Sequence, residues 1–188
     1  MDAIELLLNR VSTSQLSDPA PTAEQLQNIF QAALRAPDHA ALKPWRFVTV
    51  SGDARAKLGQ VFQQAAKQND PQLLEAKFNK LGQMALRAPL VVVVIARIEA
   101  HVKVPAVEQQ LSAGAAAQNM LLAAFAQNVG AMWRTGEMAY HPYVLSSLGL
   151  AKNEQIIGYL YLGSMPEKLK KLPQLQVSDF VSNWEGAQ

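Results

Sequence analysis

The 188-residue chain contains no cysteine, so it has no disulfide, no thiolate metal site and no cysteine nucleophile. Charged residues make up only 17% of it, against 49% hydrophobic residues, and its formal net charge is +2. The densest basic cluster is KLKK at residues 168–171, which we interpret as a solvated turn. Because a nucleic-acid-binding protein usually carries a basic stripe with aromatic residues, we expect no nucleic-acid partner.

Long apolar runs are also scarce. The longest, APLVVVVIA at residues 88–96, is far shorter than the roughly 20 residues that a helix needs to span a bilayer. The first ten residues carry Asp2 and Glu5 and end in Arg10, which is typical of a short amphipathic helix and not of a secretory signal. We therefore expect a cytoplasmic protein with no membrane partner.

The motifs of several common enzyme sites are missing too. The sequence contains no G-x-G-x-x-G, no G-x-x-x-x-G-K-[ST], no G-x-S-x-G and no H-E-x-x-H. His39, His101 and His141 lie far apart with no acidic residue at ligand spacing, so we expect no metal site. If the chain is an enzyme, these absences indicate that a bound organic cofactor supplies the chemistry.

The apolar pattern predicts helices interspersed with strands. Thr22 followed by Gln25 is a capping-box pattern, and LVVVVIA at residues 90–96 has no polar face, so both of its faces should be buried. Helices are predicted over 2–10, from 22 to about 36, 53–68, 71–86, 105–127 and 141–149, and strands over 46–50, 90–96, 130–136 and 155–164. The layout is α+β, with a central sheet of about four strands wrapped by helices.

Three stretches place polar side chains where apolar elements end. They are NRVSTS at residues 9–14, RAPDHAALKPW at 35–45 and MWRTGEM at 132–138. Arg10 and Ser12 suit a phosphate, since a guanidinium forks onto two oxygens while a hydroxyl donates to a third, but they also suit an ordinary helix end. The second stretch is either a rigid binding loop or a packed turn anchored by Trp45. In the third, Gly136 allows close approach of a flat ligand, or it ends a strand with Arg134 in solvent.

Taken in order, the segments around these stretches resemble the FMN-dependent nitroreductases, particularly their minimal YdjA-like branch of NAD(P)H nitroreductases. The matching segments are MDAIELLLNRVS, PTAEQLQNIFQAALRAPDHAALKPWRFVTV, LRAPLVVVV, KVPAVEQQLSAGAAAQNMLLAAFAQNVGAMWRTG and IIGYLYLGS. The resemblance implies a nitroreductase-like α+β fold with a mostly antiparallel sheet, in an intertwined homodimer with FMN sites at its interface. It implies one domain over residues 1–188, in which 165–188 form a C-terminal extension able to wrap the partner.

The resemblance also implies roles for individual residues. Arg10 and Ser12 of one subunit would reach the FMN phosphate and ribityl chain, while the proline loop of the other subunit would bring Arg35 and His39. Trp133, Arg134 and Thr135 would approach the flavin from below, with the backbone of residues 135–136 near flavin N5. The implied cofactor-binding residues are therefore Arg10, Val11, Ser12, Arg35, His39, Trp133, Arg134, Thr135 and Gly136. No side chain is assigned as catalytic, because the chemistry would take place at flavin N5.

The implied activity is ping-pong hydride transfer: NAD(P)H would reduce FMN, and an electron-poor acceptor such as a nitroaromatic or a quinone would reoxidise it. Two alternatives stay open. One is a flavin-binding sensor or carrier without turnover, and the other is a flavin-free interaction module whose apolar surface forms a dimer. The chain departs from many relatives at Val11, Ala41 and Lys43, and Lys170 and Lys171 match the usual C-terminal basic pair poorly.

Overall fold

The computed structural model describes residues 2–14 and 16–186, in which six α-helices and four β-strands form one layered arrangement. The helices are α1 (Ala3–Asn9), α2 (Ala23–Ala33), α3 (Ala54–Asn69), α4 (Glu75–Gly82), α5 (Ala106–Ala126) and α6 (Pro142–Ser147). The strands are β1 (Trp45–Ser51), β2 (Leu90–Arg97), β3 (Val129–Arg134) and β4 (Glu154–Ser164).

The four strands form one sheet in the order β1-β2-β4-β3, and every neighbouring pair is antiparallel. The two central strands, β2 and β4, pair along nearly their whole lengths, from Leu90 opposite Leu162 to Arg97 opposite Glu154. The prediction of an α+β fold with an antiparallel sheet of about four strands is confirmed.

Helices cover both faces of the sheet. Val91, Val93 and Ile95 of β2 point into a core built with α3 and α6, whereas Leu90, Val92 and Val94 point into a second core built with α2 and α5. Successive side chains of a strand alternate between the two faces, so a strand without polar residues must be buried on both. The prediction for β2 is confirmed.

Local chemistry explains where two of the helices begin. Thr22 caps α2 through a complete capping box, in which its Oγ1 accepts from the Gln25 N–H and the Gln25 Oε1 accepts from the Thr22 N–H. The helix predicted over 71–86 is shorter than expected. Asp70 Oδ1 accepts a hydrogen bond from the Gln72 N–H at 3.1 Å, which favours a turn there and delays α4 to Glu75.

One end of the sheet gathers two of the three polar stretches. β1 begins at this end, β3 finishes there, and the loop of residues 35–45 leads directly into β1. Since β1 and β3 are the outer strands, three strand spacings of about 4.8 Å separate them, or roughly 14 Å. No helix within residues 2–14 and 16–186 is long and apolar enough to cross a membrane.

Candidate cofactor site

The segment after α1 lines an open, basic cleft. Arg10 ends the helix, and its guanidinium donates a long hydrogen bond of 3.5 Å to Ser12 Oγ. Arg10, Val11 and Ser12 form one wall of a cleft of about 480 Å³, whose other wall comes from the C-terminal segment. The side chains of all three residues are half-buried, so they are positioned without being removed from solvent.

The opposite wall of the cleft supplies two further positive charges. Lys170 and Lys171 line it together with Leu172 and Pro173, and Lys168 lines an adjoining pocket beside Ser12 and Thr13. Residues 168–171 are exposed and lie outside any helix or strand, in agreement with the interpretation of KLKK as a solvated segment, but their position beside Arg10 was not anticipated because the two lie far apart in sequence. Several cations around a hydroxyl form a site suited to a dianion such as a phosphate monoester.

Thr13 attaches this segment to the edge of the sheet. Its N–H donates to the Ala131 C=O of β3 at 2.8 Å, and its side chain is buried. Residue 13 therefore lies directly beside β3, the strand that ends in Trp133 and Arg134. The first and third polar stretches are consequently neighbours within one chain.

Trp133 packs tightly against the sheet. A Cβ placed on Gly158 would overlap the Trp133 Nε1 and lie only 2.7 Å from its Cδ1, whereas one on Gly114 of α5 would lie 3.9 Å from the far edge of the indole. The missing side chain at Gly158 therefore creates the space that the indole occupies, while α5 covers its outer edge. The orientation of Trp133 is set by its own chain.

Arg134 lies on the opposite face of β3 from Trp133. Its guanidinium sits 5.7 Å from the centre of the Tyr161 ring, within the range of a cation–π contact. Burial raises the pKa of the Tyr161 hydroxyl, and the charges of Arg134 and Arg87 oppose that rise. The prediction had grouped Trp133 and Arg134, but strand alternation separates their side chains, so one ligand would meet at most one of the two at the same sheet face.

Thr135 and Gly136 follow β3 as exposed backbone. Gly136 has φ +103° and ψ −175°, and apart from its two chain neighbours no described residue has an atom within 4 Å of the position that a Cβ would take. Only glycine adopts this conformation readily, so the sequence places it where the backbone must remain open. An exposed amide edge of this kind fits the predicted approach of a flat ligand.

The proline loop adopts an unusual backbone conformation. Ala40, Ala41 and Lys43 have φ of 60°, 54° and 51°, in the left-handed region that L-residues seldom occupy. Asp38 stabilises it, because its Oδ2 accepts from the Lys43 N–H at 2.6 Å and its C=O accepts from the Ala41 N–H. Such conformations persist only where surrounding contacts enforce them, and they cluster at functional sites.

Arg35 and His39, the two predicted residues of this stretch, point into different surroundings. Arg35 is exposed in a groove on α2 that it shares with Asn28, Gln31 and Leu34. The His39 ring contacts α5, where its Nδ1 lies 2.7 Å from Glu108 Oε2. In this single chain the groove around Arg35 is separate from the cleft around Arg10, and the shared FMN site implied for Arg10 and Arg35 of two subunits stays a prediction.

An ion pair holds together the sheet end that carries the proline loop. Glu154 is buried and accepts two hydrogen bonds from the Arg46 guanidinium, each of 2.7 Å, and a third from the Ala151 N–H. The Arg46 hydrogen bonds hold the pKa of the Glu154 carboxyl below its usual range. This pair links β1 to β4 across β2 and was not anticipated from the sequence, since the two residues are 108 positions apart.

The chain was compared with known proteins and solved structures. The sequence model of the nitroreductase family matches residues 7–164. An Escherichia coli protein named "Putative NAD(P)H nitroreductase YdjA" is 41% identical over 185 residues, which cover 97% of this chain and 94% of that protein.

Solved structures share the fold at lower identity. A nitroreductase-like family protein from Bacillus cereus superposes with a TM-score of 0.84 at 22% identity, over 99% of this chain and 97% of the other. A nitroreductase with bound FMN from Bacteroides fragilis superposes with a TM-score of 0.75 at 20% identity, over 98% and 100% of the two chains. At these identities the structures establish a common architecture.

Proposed function

Because the chain belongs to the nitroreductase family, we propose that it is an FMN-dependent NAD(P)H oxidoreductase that reduces electron-poor acceptors such as nitroaromatics or quinones. The observation that carries the proposal is the cleft where Arg10 and Ser12 face Lys170 and Lys171. A flavin phosphate carries roughly −1.5 to −2 charges near neutral pH, by analogy with phosphorylated side chains, so it requires more than one cation. This cleft provides three cations beside a hydroxyl.

Two features at the end of β3 suit the flavin ring of FMN. Trp133 offers a fixed aromatic surface, and the backbone of Thr135 and Gly136 offers unobstructed amide groups at the end of β3. Arg134 lies on the opposite, Tyr161 side of the sheet, so a flavin ring beside Trp133 would not contact the Arg134 guanidinium at that face. The amide groups of residues 135–136, together with the Trp133 indole, would give the mixed polar and apolar lining that cofactor sites share.

FMN supplies the redox chemistry when bound, accepting a hydride equivalent from NAD(P)H and returning electrons to the acceptor. The protein's part is to hold the phosphate with Arg10, Ser12 and the two lysines, and to present the flavin ring beside the open backbone of residues 135–136. No described side chain is required as a nucleophile. The natural acceptor would then be selected by the surface left open beside the flavin.

We further propose that the chain acts as a homodimeric single domain, in which residues 165–186 extend over the partner. The exposed faces of α1 and α5 support this, because they carry Ile4, Leu7 and Leu111, the last 67% exposed. The tail carries Phe180 and Trp184, the latter 86% exposed, without docking on its own chain. Exposed large apolar side chains concentrated on helices and on a terminal segment are typical of an interface between subunits.

A substitution in the exposed face tests the dimer. Leu111→Glu should convert a dimer to a monomer and reduce FMN binding, because the charge would be buried at the interface. Light scattering coupled to size-exclusion chromatography measures the mass. Leu74→Glu is the matched control, since Leu74 is also strongly exposed but lies at the start of α4. A wild-type protein that is monomeric at all concentrations would contradict the proposal.

Absorption spectroscopy and anaerobic titration test the activity. We expect the purified protein to bind FMN. The visible absorption of the bound flavin should be lost on addition of NADPH or NADH and should return when a nitroaromatic or quinone is added. Arg10→Ala should weaken FMN binding by about 10-fold or more, since a charge-assisted hydrogen bond is lost. Lys152→Ala, an exposed cation outside the cleft, should bind FMN as the wild type does.

The outcomes separate the alternatives. A folded protein that binds no FMN would overturn the proposal and favour an interaction module. Reduction by NADPH without reoxidation by any acceptor would instead favour a flavin-binding sensor or carrier.

A further inference from the structure

The backbone contacts of the proline loop do not orient the side chain of His39. The hydrogen bonds made by Asp38 close the turn from residue 38 to residue 43, but they act on main-chain groups. The imidazole projects from this turn with 53% of its surface exposed. Any contact that orients the imidazole must therefore come from outside these loop hydrogen bonds.

Glu108 makes that contact. Its Oε2 lies 2.7 Å from His39 Nδ1, and an ionised carboxylate can only accept, so Nδ1 carries the proton. In the neutral ring Nε2 is then an acceptor, and in the protonated ring it is a donor. Among the described residues no hydrogen bond to His39 Nε2 is found, so this nitrogen is available to a ligand.

The carboxylate itself is held on a rigid element. Glu108 lies in the first turn of α5, and the next residue, Gln109, is buried. The Gln109 side chain donates to the Glu99 C=O at 2.8 Å and accepts from the Glu99 N–H at 2.9 Å, which fixes the start of the helix. A partner anchored in this way can hold the imidazole more precisely than a flexible surface residue could.

The pair contributes little to folding. Both side chains are substantially exposed, His39 by 53% and Glu108 by 42%, and ion pairs in such surroundings add little stability. A short contact with a small stability effect, between a strained loop and a rigid helix, is better explained by the orientation that it imposes. The main effect of removing it should therefore appear in ligand binding.

We propose that Glu108 is a positioning residue for the cofactor site: it fixes the ring orientation and the proton position of His39, so that Nε2 faces FMN. This inference rests on the proposed function, since it takes FMN as the ligand of His39. The loop's own hydrogen bonds do not orient the imidazole. Glu108 affects FMN binding only by orienting His39.

Two measurements test the proposal. The ¹⁵N shifts of His39 in the FMN-free protein, recorded at a pH high enough to give the neutral ring, should report an Nδ1 proton in the wild type and in Glu108→Gln. The amide oxygen that Glu108→Gln introduces can accept the same hydrogen bond, whereas Glu108→Ala should release the proton to Nε2. FMN affinity should fall about 10-fold in Glu108→Ala and stay within about 3-fold of wild type in Glu108→Gln.

Controls separate positioning from helix stability. Glu24→Ala removes an acidic residue from the first turn of α2, where the same helix-dipole effect is lost, and should leave FMN affinity unchanged. In a His39→Ala background, Glu108→Ala should weaken FMN binding no further. The proposal would be overturned if Glu108→Ala kept the wild-type FMN affinity. It would also be overturned if Glu108→Ala weakened FMN binding as much in the His39→Ala background as in the wild type. Wild-type protein that binds no FMN would refute the proposed function instead. The ¹⁵N shifts would still show whether Glu108 fixes the proton position of the His39 ring.

Discussion

The two ends of the proposed FMN site are stabilised in different ways. Trp133 is fixed by Gly158 beneath it and by α5 beside it, within one chain. Arg10 and Ser12, by contrast, lie between α1 and the tail, two segments whose apolar residues are exposed. The ring-binding end is thus built by the fold itself, whereas the phosphate-binding end depends on segments that a partner subunit would complete. Substitutions at the first end should change stability and binding together, and those at the second should change binding alone.

The largest effect is expected from filling the space under Trp133. Gly158→Ala places a Cβ in overlap with the indole nitrogen and 3.0 Å from the Arg134 C=O oxygen, so either the ring or the strand must move. We expect the free energy of unfolding to fall by about 3 kcal/mol, the upper end for overpacking, and FMN affinity to fall with it. Urea denaturation and FMN titration measure the two quantities.

Gly114→Ala is the matched control, because it faces the same indole from α5 but leaves 3.9 Å of space. Replacing glycine by alanine in a helix should raise stability by up to about 1 kcal/mol, with no loss of FMN binding. If both substitutions left the free energy of unfolding and the FMN affinity unchanged, Trp133 would not be fixed by its neighbours. The ring-binding end would then not differ from the phosphate-binding end in the way described.

The next effect concerns the ion pair behind the proline loop. The pKa of the Glu154 carboxyl is lowered in the folded state, so its contribution to stability is complete above the ordinary value of 4.5 and is lost as the pH falls through the lowered pKa. Glu154→Gln should cost about 2 kcal/mol near neutral pH, since hydrogen bonds to a charged group are lost. Denaturation of both proteins at a series of pH values, from neutral to strongly acidic, measures the difference between their free energies of unfolding.

The wild-type and Glu154→Gln stabilities should converge as the pH falls below 4.5. Glu137→Gln, an exposed residue after β3, should follow the wild-type curve throughout. A Glu154→Gln protein whose deficit is the same at every pH would show that the pair acts by packing and not by charge.

A smaller effect, on binding alone, is expected at the phosphate-binding end. The double change Lys170→Ala, Lys171→Ala should weaken FMN binding by about 10-fold or more, and the affinity should become less sensitive to salt. The free energy of unfolding should change by no more than about 0.5 kcal/mol, because exposed surface substitutions rarely do more. Fluorescence titration at several salt concentrations measures the affinity.

Lys77→Ala, Lys80→Ala is the matched double control, since both lysines are exposed on α4. It should leave both the affinity and its salt dependence unchanged. A substantial loss of stability in the Lys170, Lys171 variant would mean that the tail is fixed by its own chain. The phosphate-binding end would then be built by the fold itself, as the ring-binding end is.

Much of the fold follows from the sequence because its signals are local. The unbroken apolar run of β2 predicts burial of both faces, and Thr22 with Gln25 predicts the start of α2. Contacts between distant residues leave no such signal. The Arg46–Glu154 pair, the position of Lys171 beside Arg10, and the space that Gly158 leaves for Trp133 depend on three-dimensional packing.

From the residues alone, the candidate site was predicted only as separate stretches, and the family resemblance joined them into one site. The resemblance supplied the residue roles, and strand alternation then divided Trp133 from Arg134, which a linear motif cannot reveal. Similarly, Ala40 and Ala41 carry no sequence mark of a left-handed conformation, because glycine or asparagine usually occupies such positions. Strain in the proline loop was therefore not predictable from its residues.

The smallest effect concerns that strain. Ala41 has φ +54°, so Ala41→Gly should relieve an unfavourable conformation and raise the free energy of unfolding by up to about 1 kcal/mol, after the added flexibility of the unfolded chain is subtracted. Ala56→Gly in the first turn of α3, where alanine is helical and exposed, should lower it by about 0.5–1 kcal/mol. Denaturation of both variants under one set of conditions measures these opposite signs. FMN affinity of Ala41→Gly should fall slightly, because the loop that holds His39 becomes more flexible. An Ala41→Gly protein destabilised as much as Ala56→Gly would show that the left-handed conformation of residue 41 is not strained.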